Sequence, residues 1–119
     1  MSTKNKSSTR YYSNAHEEKV AKMLNAYRQP NSGASLFSAG DVYNKQASML
    51  VECKTTTTNK ESFSIKKEWL LKNKEEAKSK RLLNSCLAFS FGPDEKETYF
   101  IIDEKLMRFL VEKLEEDNE

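Results

Sequence analysis

A chain of 119 residues, 37% apolar and 32% charged, can form one hydrophobic core and little more, so a single domain is expected. It has no apolar run long enough to span a bilayer and no apolar N-terminal stretch of the secretory kind, and its two cysteines fall inside apolar runs. These features argue for a soluble intracellular protein with no membrane association, no disulfide framework and no zinc site. The net charge of +2 conceals an asymmetry: through Arg81 there are 16 basic against 8 acidic residues, and afterwards 4 against 10, so a polyanion such as nucleic acid would meet the first two-thirds.

Residues 1–12, polar up to Tyr11 and Tyr12, read as a flexible basic arm, and residues 13–119 as one domain. From Asn14 to about Tyr27 the spacing is helical, with Val20, Met23, Leu24 and Tyr27 forming an apolar stripe. Pro30, Asn31, Ser32 and Gly33 break it. Strand segments are expected at Leu36–Phe37, Val42–Tyr43 and Ser48–Lys54, the last two joined by a turn over Asn44–Ala47. Four consecutive threonines, Thr55–Thr58, favour extended or loop structure. A helix capped by Ser64 should run from Ile65 to Leu82, with Trp69 inward and six lysines mostly outward. Ser85–Phe91 and Glu97–Ile102 read as buried strands, and Glu104 to about Glu116 as a final helix. The order implies an α/β fold, a central mixed β-sheet flanked by helices.

Chemistry concentrates between the first helix and the third strand segment. Acid-x-Lys occurs five times, but only Glu52-x-Lys54 closes an apolar strand-like run, where alternation puts Leu50, Glu52 and Lys54 on one face. Two residues apart on a strand is roughly 6 to 7 Å, room for a metal ion, a water and a phosphate oxygen. The plainer reading is an ion pair on a solvated sheet face. Asp41, across the hairpin, would bring a second carboxylate beside Glu52, which is repulsive unless a cation lies between them, and oxygen ligands select Mg²⁺ or Mn²⁺. A turn role for Asp41 after Gly40 is the alternative. Glu17 lies at the edge of the apolar helix face with Val20, Ala21 and Leu24; equally, Asn14 and Glu17 could form a capping box. His16, the one histidine, has no nucleophile at a telling spacing, and no phosphate-binding glycine loop is present.

Glu17, Gly40-Asp41 and the run Leu50-Val51-Glu52-Cys53-Lys54 resemble, in order and spacing, the PD-(D/E)XK nuclease superfamily, with Gly where its motif often has Pro. Within it, His16–Leu24, Arg28 and Ser32-Gly33 are similar to the archaeal-type Holliday junction resolvases. The resemblance implies a restriction-endonuclease-like core and a homodimeric, metal-dependent endonuclease for branched DNA. Its Mg²⁺, replaceable by Mn²⁺, would be held by Glu17, Asp41, Glu52 and the Cys53 carbonyl, with Lys54 at the attacking water or the phosphate. It further implies DNA contacts from Arg28 and Ser32; Lys66 and Lys67, at a helix start, are candidate phosphate grips. So short a nuclease suits a phage or prophage setting. Other repair or restriction nucleases of the superfamily, and a non-catalytic DNA-binding module, are the alternatives.

Overall fold

The computed structural model describes residues 9–28 and 41–119. The chain runs α1 (Thr9–Met23), β1 (Tyr27–Arg28), β2 (Asp41–Asn44), β3 (Met49–Lys54), α2 (Lys67–Ser79), β4 (Asn84–Phe89), β5 (Tyr99–Ile101) and α3 (Glu104–Asp117). The strands form one mixed sheet in the order β1-β2-β3-β4-β5, with β3 and β4 parallel and the other neighbours antiparallel. The expected α/β architecture is therefore present. The parallel pair requires a crossover, and α2 supplies it.

Strand alternation divides the core into two layers. Val42, Val51, Cys86 and Ala88 face α1 and pack with Val20 and Ala21. Leu50 faces the other way, against Ala77 at the end of α2 and Leu82 just beyond it. One residue of slip in β3 would exchange these two sets, so the register is firmly specified.

The helix ends differ from those expected. α1 begins at Thr9, so residues 9–12 of the expected arm are its first turn, and Asn14 lies inside the helix rather than capping it. The capping-box alternative for Glu17 is thereby removed. α1 stops at Met23 because Asn25 takes a left-handed φ of 52°, and the Ala26 amide returns to the Ala21 carbonyl at 2.8 Å. Tyr27 is therefore on an edge strand, 68% exposed, and the buried helix face is His16, Glu17, Val20 and Ala21; Met23 is also exposed. α2 ends in the same way at Arg81, φ 61°, with Leu82 bonded back to Ala77, three residues short of the expected end. It also starts later, with Lys66 rather than Ser64 at the cap position and no side-chain cap.

β5 is an edge strand with Tyr99 and Phe100 exposed, not a buried one. α3 is capped by Asp103, whose carboxylate accepts from the Leu106 amide at 2.9 Å, and Leu106 is its one buried residue. The expected Leu36–Phe37 strand, the breaker loop with Ser32, Gly40, and residues 1–8 lie outside the described residues.

Candidate active site

The hairpin register is the basis of the site. β2 and β3 pair so that Asp41 is directly opposite Glu52, followed by Val42 opposite Val51. Opposed residues share a face, and Lys54, two residues past Glu52, shares it too. All three stand at the carboxyl end of the parallel β3–β4 pair, where open α/β sheets place their ligand crevices.

A cavity of about 340 Å³ lies there between the sheet and α2, lined by Asp41, Glu52 and Lys54 below and by Glu68, Trp69, Lys72, Asn73 and Glu76 above. Asp41 is only 2% exposed. Four carboxylates against two ammonium groups leave the cavity net negative, a balance that suits a divalent cation. The Lys54 ammonium lies 3.0 Å from Glu52 and 4.4 Å from the centroid of the Trp69 ring, so it is clamped between a carboxylate and an aromatic face. The gap anticipated between Glu52 and Lys54 is thus closed by their own ion pair. Phe89, opposite Lys54 on β4, extends the aromatic wall through Phe63 at 5.3 Å and Phe91 at 5.4 Å.

Glu17 is placed apart from this cavity. It is 8% exposed on α1, and its carboxylate receives Arg28 Nη2 at 3.2 Å. The same nitrogen donates to Asn14 Oδ1 at 3.1 Å. The Arg28 guanidinium therefore turns inward and ties β1 to α1 instead of being offered to a partner. The Cys53 thiol links the two regions electrostatically: burial pushes its pKa up, and Glu17, Asp41, Cys86 and Glu52 push it further. Cys53 itself faces the α1 layer. Its assigned role is a backbone one, and the thiol is no candidate nucleophile or ligand.

Of the expected contact residues, Lys66 and Lys67 stand exposed at the start of α2, with the Lys66 ammonium 5.8 Å from the Trp69 centroid. Among the described residues, no three Asp, Glu, His or Cys side chains converge as a finished metal cage. Two registered carboxylates in a net negative, oxygen-lined cavity still match a hard cation that keeps much of its water, as Mg²⁺ does.

The cavity wall supplied by α2 was missed in the sequence. Trp69, Lys72, Asn73 and Glu76 recur at i, i+3, i+4 and i+7, a largely polar stripe on the face that should cover the sheet. That violation of amphipathic pattern was the available signal. A larger hollow of about 680 Å³ opens on the α1 side, between Tyr11, Tyr12, His16 and the loops at Thr57–Asn59 and Gly92–Glu95. Its acidic residues, Asp94 and Glu95, sit exposed on a turn and face no partner strand, so the chemistry favours the smaller cavity. No family model, curated protein or solved structure gives a match to this chain.

Proposed function

We propose that the chain is a divalent-metal-dependent endonuclease hydrolysing phosphodiester bonds in DNA, with its centre at Asp41, Glu52 and Lys54. The observation that carries this reading is the register: two carboxylates opposed across a hairpin, and a lysine on the same face, at the ligand-binding end of the sheet. Asp41 and Glu52 would hold the ion, which when bound polarises the phosphate and lowers the pKa of a water. Lys54, released from Glu52 as the ion takes that carboxylate, would sit beside the phosphate and neutralise charge growing on its oxygens. Trp69 keeps the ammonium close to the site throughout. Lys66 and Lys67, with the unoccupied amides of the α2 N-terminus, would take flanking phosphates.

A branched, four-way substrate is the finer form of the proposal, and it brings a homodimer with it, because symmetrical nicking needs two centres. α3 offers a surface for a second copy: Met107, Leu110, Val111 and Leu114 form an exposed apolar stripe. Residues 104–110 carry two basic and one acidic side chain, and residues 111–119 one basic and five acidic. Antiparallel pairing sets unlike halves together, whereas parallel pairing would stack the acidic ends.

The closed Glu52–Lys54 ion pair favours one rival, a DNA-binding module whose charges are structural. Incubation with labelled four-way junction, duplex and single strand, in Mg²⁺, Mn²⁺ and chelator, separates the readings. Paired metal-dependent nicks in the junction alone support a resolvase; equal cutting of duplex removes that finer claim and keeps the nuclease. DNA binding without cutting under any condition supports the module.

A further inference from the structure

Asn73 is 4% exposed and sits in the middle of α2, on the side that covers the sheet. Its Nδ2 donates to the Cys86 carbonyl on β4 at 2.9 Å. Exchanging the ends of the amide would set oxygen against oxygen, so this bond fixes the orientation of the group. The other arm, Oδ1, is buried and has no donor. An acceptor stranded in this way costs about 1–3 kcal/mol, and such atoms are uncommon in folded proteins. Asn73 also lines the cavity that contains Asp41 and Glu52. A carboxamide would be a poor choice if the position served packing alone. Ala77, one turn later on the same face, shows that a small apolar side chain fits there.

We infer that Asn73 Oδ1 is a third protein oxygen of the divalent-cation site, taking the ion or a water of its shell, alongside Asp41 and Glu52. This rests on reading the cavity as a cation site. It adds that the site spans sheet and helix, so that α2 serves as a ligand-bearing wall. The bond to Cys86 is the outer support that aims the ligand. A neutral oxygen also adds coordination without adding repulsion to a cavity that already holds four carboxylates.

The test is cation binding without DNA. Mn²⁺ affinity is measured by calorimetry, and Tb³⁺ luminescence is excited through Trp69, the only tryptophan and itself a cavity residue. Asn73→Leu should weaken Mn²⁺ binding by about 10-fold or more. Asn73→Asp, which restores an oxygen while sacrificing the bond to Cys86, should recover or exceed wild-type affinity. Wild-type affinity in Asn73→Leu, with Asp41→Asn defective, overturns the role of Asn73 alone; absence of binding in the wild type overturns the cation site and this inference with it. If neither Asn73 variant folds, wild-type protein carrying ¹³C-asparagine decides: Mg²⁺ should shift the Asn73 side-chain carbonyl resonance, and an unmoved resonance at saturation overturns the inference.

Discussion

Replacing Arg28 by Met should destabilise the fold, because Glu17 is left buried without its cation. At 3.2 Å the pair attracts by about 5 kcal/mol for an effective dielectric of about 20. Removing one member of a fully buried pair costs about 3–5 kcal/mol. The Arg28 side chain is 34% exposed, so solvent screening reduces the expected loss to about 2 kcal/mol. Glu17→Leu removes the same attraction but also the buried charge, so the double variant should be more stable than the two single losses added together. The assay is urea unfolding at neutral pH on all four proteins, followed by far-UV circular dichroism. A coupling of about 1–2 kcal/mol is predicted. Additivity within about 0.5 kcal/mol would refute the claim that Arg28 is a structural tie between β1 and α1.

Four further outcomes are expected. Glu52→Gln and Lys54→Met should abolish DNA cleavage while leaving the melting temperature within a few degrees of wild type; normal cleavage with lowered stability would make the pair structural. His16 is buried with Nε2 at 3.2 Å from the Ala88 carbonyl, and burial holds its pKa below the usual value near 6.5, with Lys19 adding to the effect and the Ala88 bond opposing it. Below pH of about 6.5 the unfolded chain therefore binds a proton that the folded chain refuses, so stability is full above that pH and falls as pH drops toward the lowered pKa; His16→Asn should flatten this slope in unfolding measured from pH 7.5 to 5. Gly92→Ala should cost about 1–3 kcal/mol, since a Cβ there would meet Asn59 Cα at 2.5 Å and the Thr58 carbonyl at 3.0 Å; an unchanged thermal midpoint would show that the two loops are not locked together. Leu110→Glu should convert a dimer to a monomer in light scattering, and a wild type that is monomeric at high concentration would remove α3 as an interface.

The sheet and the order of its elements were readable because their signals are local. Alternation in Met49–Lys54 fixed which residues face which layer, and the turn after Asn44 fixed the opposition of Asp41 and Glu52. Helix ends were less legible. Both α1 and α2 close on left-handed residues, Asn25 and Arg81, where no glycine marks the stop. Extending α1 through that point turned its apolar stripe toward Met23 and Tyr27 and hid the true face of His16, Glu17, Val20 and Ala21. Arg28 looked like a surface contact because nothing in the sequence reports that Asn14 and Glu17 are positioned to receive it. Asn73 was invisible for a related reason: its meaning depends on a carbonyl of β4 and on a strand pair more than 20 residues away, both brought to it only by the crossover.

The central claim is that Asp41, opposite Glu52, belongs to a metal-dependent phosphodiesterase centre, and single-turnover nicking of labelled DNA by wild type and Asp41→Asn tests it most directly. Wild type is predicted to cut in Mg²⁺ or Mn²⁺ and to stop when chelator is added, whereas Asp41→Asn remains folded, binds the same DNA and does not cut. Cutting by Asp41→Asn at the wild-type rate, or cutting that persists in chelator, would contradict the account.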